Sequence, residues 1–368
     1  MERSNPPVDH KTLAPANSVA APSHLAVVPT HMHVAPASKD VVRTQSKTGQ
    51  KEKSPHADIT TAHRKIIEDF KIDPDSMKDV DMIVGCIEAR RMLLSSTSVP
   101  SVAPHLARYF PRSILLHGIS GTGKTTLAMS IAKESKESSV YLVRSCDVDG
   151  QSSTKQIIHA LLAIAQENAP SVIILDEVET FFHSNNGPAD TISELSTLTR
   201  YPGVTIVGTT NRPWALDRAS RHLFKTHIHI PLPSEDDRLA IFKLKLYALP
   251  HTITEAEFSA FASQSNLLPG AAIEQGINLL VQKSIGIAME SAHFREIEVN
   301  GFKWLCACTE SERGARAMDY KTVAHRLVPE PLSADALWDM MFCVGRQYGW
   351  VEKAEADHAE WNDNPYTR

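Results

Sequence analysis

Residues 118–125 of this 368-residue chain read Gly118-Ile119-Ser120-Gly121-Thr122-Gly123-Lys124-Thr125. A Gly, four variable residues, then Gly, Lys and Thr form the pattern of a loop that surrounds phosphate groups. Residues 113–117, just before it, are mostly apolar and predict a buried parallel strand, whereas residues 126–132 have helical spacing. The pattern therefore lies in the strand, loop and helix order that it requires. It predicts a binding site for a nucleoside triphosphate.

The residue types of this stretch, the phosphate loop, indicate how it would bind. Small residues allow backbone N–H groups to close around the β- and γ-phosphates, and the helix N-terminus adds partial positive charge. Lys124 adds a full charge, and Thr125 offers its hydroxyl to Mg²⁺. The predicted nucleotide contacts are Gly118, Ile119, Ser120, Gly121, Thr122, Gly123, Lys124, Thr125 and Thr126.

Composition excludes several classes of protein. The net charge of -5 and the lack of a dense basic run argue against a nucleic-acid binder. No stretch approaches the roughly 18 apolar residues of a membrane span. Five cysteines without paired spacing favour a reducing compartment, and we expect a soluble cytoplasmic or nuclear protein. Cys306 and Cys308 are half of a metal-site pattern, but no second pair of ligands has matching spacing.

The chain divides into segments of different character. Residues 1–57 are rich in Pro, Ala and Ser and predict a disordered arm that serves as a linker or adaptor. In residues 58–233, apolar runs at 114–117, 140–143, 172–176, 204–209 and 228–230 alternate with helical stretches. This alternation predicts an α/β fold with a doubly wound parallel sheet.

The segment after residue 233 reads as helical. Helical patterns occupy residues 235–248, 255–263 and 271–287, and a last amphipathic helix follows Ser333 with Leu337, Met340 and Met341 on one face. Residues 295–321 are too mixed to assign. We therefore expect a helical lid over residues 234–346 and a tail over residues 347–368.

Two further strand ends carry candidate chemistry. Residues 172–175 are apolar, and Asp176 and Glu177 follow them directly. Adjacent side chains point in different directions, so Asp176 is predicted to organise Mg²⁺ while Glu177 polarises the attacking water. Asn211 ends the next apolar run, and its amide both donates and accepts, which suits holding that water.

These elements resemble the AAA branch of the AAA+ ATPases, most closely the group of katanin and spastin, over residues 78–287 and in the lead into the final helix at residues 329–335. The resemblance implies a P-loop NTPase fold, ATP as the nucleotide, a ring-shaped homo- or hetero-oligomer and a protein substrate that is remodelled. It also implies adenine contacts at Ile83, Val84 and Gly85, and a lid contact at Gly270 and Ala271.

Two departures from the family pattern bear on activity. The loop at residues 146–152 is short and has no aromatic residue, although family members that thread polypeptides carry one there. His222 and Leu223 occupy the positions where the family places arginines that act on a neighbouring nucleotide, so Arg218 or Arg221 is the candidate replacement. An arginine finger contributes about 10³-fold or more in rate, so its loss implies slow turnover.

Several alternatives stay open. The first function is a Mg²⁺-dependent ATPase, and the second is an ATP-binding scaffold or low-activity subunit of a mixed ring. A small-molecule kinase explains the phosphate loop but not Asp176, Glu177 and Asn211 followed by a helical lid. The closely spaced His222, His227 and His229 are more typical of ordinary histidines than of a metal site, because no carboxylate or cysteine lies at ligand spacing.

Overall fold

The structure is a computed structural model that describes residues 61–74, 83–135, 138–148, 154–182, 193, 195–197, 203–299 and 301–363. The expected arm at residues 1–57 lies outside the described residues. None of the helices within these ranges is both long enough and apolar enough to cross a membrane.

A five-stranded parallel sheet forms the centre of the first part. Its strands are β1 (Ser113–His117), β2 (Ser139–Val143), β3 (Ser171–Leu175), β4 (Val204–Thr210) and β5 (Thr226–His229). They lie in the order β2-β3-β4-β1-β5, and every neighbouring pair is parallel. Strands β1, β3 and β4 are buried along their whole length, as expected for apolar runs covered on both faces. The predicted doubly wound parallel sheet is confirmed.

Helices cover both faces of the sheet. They are α1 (Thr61–Phe70), α2 (Ile87–Val102), α3 (Lys124–Glu134), α4 (Ser145–Val148), α5 (Thr154–Glu167), α6 (Val178–Phe182) and α7 (Arg218–Leu223), with 3₁₀ turns at Pro104–Tyr109 and Pro213–Ala215. Alternation along β1 sends Leu115 into one apolar core with α5, and Ile114 and Leu116 into another with α3.

The second part begins at residue 235 and is largely helical. Its helices are α8 (Glu235–Leu246), α9 (Glu255–Gln264), α10 (Gly270–Glu290), α11 (Tyr320–Val323), α12 (Ala334–Gln347) and α13 (Val351–Asp363). Reciprocal capping bonds at Ser234 and Thr254 explain where α8 and α9 begin. Helices α8, α9, α10 and α12 share one core, which includes Phe261, Leu337 and Met341. The helical lid predicted after residue 233 is present.

A small antiparallel sheet interrupts this lid, largely within residues 295–321, which the sequence left unassigned. The sheet consists of β6 (His293–Val299), β7 (Phe302–Ala307) and β8 (Arg316–Ala317), in the order β7-β6-β8. In β6, Phe294 is fully buried while Glu296 and Glu298 are exposed. Because this strand has no continuous apolar run, its sequence lacks the signal that identified the strands of the large sheet.

Helix α13 lies within residues 347–368, which the sequence indicated only as a tail. Val351, His358 and Trp361 are buried. They are spaced at i, i+7 and i+10, so they form one stripe along the helix. The acidic residues between them hide this stripe in the sequence.

Candidate nucleotide site

A cleft of about 420 Å³ lies between the carboxyl ends of the sheet strands and the lid. The phosphate loop joins β1 to α3 at one side of this cleft. Ligands of open parallel sheets bind at this edge, where the strand order reverses. Lid residues Gly270 and Ala271 form part of the opposite wall.

Two glycines of the phosphate loop have backbone positions that exclude a side chain. Gly118 has a φ of 153°, and a Cβ there would lie 2.2 Å from the carbonyl oxygen of Ile230. Gly121 has a φ of 82°, and its Cβ would lie 2.9 Å from the Cβ of Ala271. The loop can therefore approach both β5 and the lid closely only because these residues are glycine.

The ammonium of Lys124 is buried within the phosphate loop. Its Nζ donates to the carbonyl oxygens of Gly118 at 2.9 Å and Ile119 at 2.7 Å. Burial lowers the pKa of Lys124 to about 8, while the carboxylate of Asp176 acts in the opposite direction. An amine with this pKa is still mostly protonated at neutral pH. The cleft therefore contains a fixed positive charge beside the loop, which suits an anionic ligand.

Asp176 connects the phosphate loop to the sheet. Its Oδ1 accepts the hydroxyl of Thr125 at 2.6 Å and the hydroxyl of Thr209 at 2.5 Å. Thr209 Oγ1 also accepts the backbone N–H of Glu177 at 3.2 Å. The two residues predicted to bind magnesium, Thr125 and Asp176, are thus in direct contact, and Thr209 joins them from a third segment of chain.

Glu177 has a left-handed backbone with a φ of 56°. Non-glycine residues adopt this conformation at a cost of about 1–2 kcal/mol, so it persists where the surroundings determine it. Here the bond from its N–H to Thr209 is one such determinant. The exposed side chain of Glu177 lines the cleft, which places a carboxylate where water can reach it.

Asn211 follows β4 and also lines the cleft. The backbone carbonyl oxygen of Asn211 lies 3.2 Å from Nε2 of His358 on α13. The loop that carries Asn211 is therefore in contact with the C-terminal helix as well as with the sheet.

Most residues predicted from the sequence converge on this one cleft. Those that line it are Ile83, Val84, Ser120, Gly121, Thr122, Gly123, Lys124, Thr125, Thr126, Asp176, Glu177, Asn211, Gly270 and Ala271. Gly118 and Ile119 do not line the cleft, and their carbonyls instead accept the bonds of Lys124; Gly85 is not part of the lining either. The lid is bonded directly to the loop, because the N–H of Ala271 donates to the carbonyl of Gly121 at 3.1 Å.

Some lining residues were not anticipated. Thr209 is one, and its position follows from the register: Leu175 pairs with Gly208, so the next residues, Asp176 and Thr209, are neighbours. Lys245 and Glu274 are others, and they form an ion pair of 2.8 Å between α8 and α10 at the cleft wall. Cys86 also lines the cleft. No motif in the sequence identifies these three.

The candidate arginines lie on α7, away from this cleft. Arg218 is exposed and its Nε donates to Nε2 of His222 at 3.3 Å. The guanidinium carbon of Arg221 lies 5.2 Å from the centre of the Trp361 ring. His222 is exposed and Leu223 is buried. The loop at residues 146–152, which also departs from the family pattern, is described only in part. Residues 146–148 belong to α4, and residues 149–152 lie outside the described residues.

Comparison with known proteins agrees with this geometry. Residues 114–232 match the model of the ATPase family associated with various cellular activities (AAA). Vacuolar protein sorting-associated protein 4B of Mus musculus is 28% identical over 284 residues, covering 70% of this chain and 63% of that protein. Spastin of Dictyostelium discoideum is 28% identical over 245 residues, covering 61% of this chain and 37% of that protein.

A solved structure has the same fold. The structure described as "Structural Basis for Katanin Self-Assembly" matches with a TM-score of 0.58 at 22% identity, covering 77% of this chain and 91% of that one. The chain spans less than two thirds of the length of the curated relatives above. Together with the cleft at the phosphate loop, these matches show that residues 114–232 are similar to the AAA family of ATPases, while the likeness to the katanin structure shows the fold alone.

Proposed function

We propose that this chain binds ATP together with Mg²⁺ and hydrolyses it to remodel a protein partner. The observation that supports this most directly is the 2.6 Å contact between the Thr125 hydroxyl and the Asp176 carboxylate at the phosphate loop. Carboxylate oxygens and the hydroxyl of a phosphate loop are ligands that suit Mg²⁺. The two side chains therefore fit a magnesium ion beside the phosphates.

The other residues of the cleft have complementary roles. When bound, Mg²⁺ would neutralise the charge that develops on the phosphate oxygens. Lys124 counters the charge of the triphosphate, and Glu177 polarises the attacking water and accepts its proton. Asn211 orients that water, because its amide donates and accepts at once.

Hydrolysis is coupled to movement through the lid. Ala271 at the start of α10 is bonded to Gly121 of the phosphate loop, so a change in the loop reaches the first turn of a long lid helix. Members of this family act as rings, and we extend that arrangement to this chain. A rotation of the lid against the sheet would then move each neighbour in the ring.

A second candidate function is an ATP-binding scaffold or a slow subunit of a mixed ring. The observation that favours it is the chemistry of α7, where His222 and the buried Leu223 stand at the family's arginine positions. Neither side chain can place a guanidinium at a neighbouring γ-phosphate. Arg221, one residue earlier, is the replacement that we propose in a self-sufficient ring.

The proposal is tested by phosphate release from Mg·ATP, measured over a range of protein concentrations for the wild type and for Glu177→Gln. We expect the wild type to release phosphate and the variant to be at least about 100-fold slower, because the general base is lost. Wild-type release that equals that of Glu177→Gln at every concentration would remove the proposed activity.

The same assay separates the two candidates. In a self-sufficient ring, turnover per chain rises steeply with concentration, and Arg221→Ala abolishes that rise. In a mixed ring, turnover of the isolated chain stays low at every concentration. Turnover then increases only after addition of a related AAA subunit that has intact arginines. In that subunit the glutamate matching Glu177 is replaced by glutamine, so that it adds no hydrolysis of its own.

A further inference from the structure

Three histidine rings from separate elements pack against one another, in nearly parallel planes, beside the nucleotide cleft. His117 ends β1 immediately before the phosphate loop, His229 ends β5, and His358 lies on α13. Their ring centres are 5.2 Å apart between His117 and His229, 6.0 Å between His117 and His358, and 5.7 Å between His229 and His358. The planes differ by 18° to 29°. We call these three residues the histidine stack.

The stack is neutral at physiological pH. Burial lowers the pKa of His117 to about 3 and that of His358 to about 4, and burial is also the main cause of the lowered pKa of His229. Lys124 contributes in the same direction to all three. No group of three His, Cys, Asp or Glu within the described ranges is arranged to hold a metal ion. The stack is therefore a packing unit with hydrogen-bonding edges.

One edge of this unit contacts the loop of Asn211. A neutral His358 that carries its hydrogen on Nε2 donates it to the backbone carbonyl oxygen of Asn211, 3.2 Å away. The same ring meets the Trp214 ring in an edge-to-face arrangement, with ring centres 5.0 Å apart and planes at 62°. His358 therefore contacts this loop at two points, three residues apart.

The His358 ring also packs against the sheet, on the rings of His117 and His229. His117 and His229 are paired neighbours on parallel strands, so their rings lie side by side against the His358 ring. His358 is 1% exposed and His117 is 3% exposed, so neither ring has room to rotate freely. The contact with Asn211 is thus determined by the sheet as well as by α13.

We propose that His358 is a positioning residue that fixes Asn211 in the ATP site, with His117 and His229 as its support. This inference rests on the proposed function, because it takes Asn211 to orient the attacking water. Helix α13, which is distant in sequence from the phosphate loop, then contributes a residue that supports the site. Its contribution is to the rate of hydrolysis and not to the affinity for ATP, because α13 residues do not line the nucleotide cleft.

The test compares two substitutions that separate the ring from its hydrogen bond. His358→Phe keeps an aromatic ring and loses the donor, whereas His358→Gln loses the ring and keeps an N–H donor of similar reach. We expect His358→Phe to lower kcat about tenfold while Kd for Mg·ATP stays within about twofold, and His358→Gln to recover most of the loss. His325→Phe, at an exposed lid residue, is the control for kcat and Tm.

A double-mutant cycle shows whether the effect acts through Asn211. In the Asn211→Ala background, His358→Phe is expected to lower kcat no further, because the side chain that it positions is already gone. An equal loss in both backgrounds, or a His358→Phe variant with wild-type kcat, would overturn the inference while leaving the ATPase proposal intact. A wild-type protein without ATPase activity would instead refute the proposed function, and this inference with it.

Discussion

At the scale of single residues, the hydroxyl of Thr209 connects the two carboxylate residues of the candidate site. It donates to Asp176 and accepts from the backbone N–H of Glu177. Thr209 is also 2% exposed, so water does not replace these bonds easily. Its loss should leave Asp176 less well oriented and the strained backbone of Glu177 without one of its restraints.

We predict that Thr209→Val, which keeps the shape and removes the hydroxyl, lowers kcat about tenfold or more. The affinity for ATP should change by less than about threefold, because the phosphate loop is untouched. Steady-state phosphate release and nucleotide titration measure the two quantities. Thr205→Val, a buried threonine on the same strand, is the matched control and should leave kcat unchanged. Equal kcat for the two variants would show that Thr209 has no special role.

The sequence predicts Asp176, Glu177 and Asn211 as neighbours because the carboxyl ends of parallel strands meet at one edge of a sheet. It does not identify Thr209, because a threonine inside an apolar strand has no motif. Thr209 lies beside Asp176 because of the register between β3 and β4, and the pattern of a single sequence does not give this register. Lys245 and Glu274 were missed for a related reason: their pairing depends on how two lid helices pack.

At the scale of elements, a buried arginine links the first two helices of the lid. Arg238 on α8 is 6% exposed. Its Nε donates to the carbonyl of Ala262 in α9 at 2.8 Å, and its Nη1 donates to the carbonyl of Pro233 at 2.8 Å. One side chain thus joins the first two lid helices to the segment that follows β5.

Replacing this arginine with methionine should keep the apolar stem and leave both carbonyls without their donor. We predict that Arg238→Met lowers the free energy of unfolding by about 3 kcal/mol, measured by urea denaturation. Lys243→Met on the same helix is the control, because its ion pair with Glu255 lies at the surface and contributes about 1 kcal/mol or less. Similar losses for both variants would contradict the role of Arg238.

The elements differ in how well the sequence predicts them. Strands β1 and β3 and helices α8 and α9 were found because apolar runs and capping residues are local signals. Strand β6 and helix α13 were not, because each buries only a few side chains among charged ones. For α13 the stripe of Val351, His358 and Trp361 becomes meaningful only once the sheet presents His117 and His229.

At the scale of the whole molecule, the histidine stack makes stability depend on pH. The pKa values of His117 and His358, about 3 and about 4 in the folded state, lie below the ordinary value of 6.5. Below pH 6.5 the unfolded chain therefore binds protons that the folded chain does not. The contribution of these two histidines to the free energy of unfolding is therefore most favourable above this pH and is lost as the pH falls toward the folded values.

We predict that His358→Phe reduces this dependence. Near pH 5.5 the slope of unfolding free energy against pH should correspond to about one proton fewer taken up on unfolding than in the wild type. Urea denaturation at a series of pH values between 5 and 7.5 gives the slope. His325→Phe, at an exposed residue, should keep the wild-type slope, and an unchanged slope in His358→Phe would mean that the stack does not resist protonation.

In the whole molecule, separate segments of chain meet at the candidate nucleotide cleft: the phosphate loop, the ends of β3 and β4, and the start of α10. Lys124 is the positive charge that lies within the phosphate loop itself. The most direct measurement is equilibrium binding of labelled Mg·ATP to the wild type and to Lys124→Ala, with Lys133→Ala, on the same helix, as the control. We expect saturable binding by the wild type and the control, and a loss of at least about 100-fold in affinity for Lys124→Ala. Equal binding by all three proteins, or binding by none, would contradict the nucleotide site.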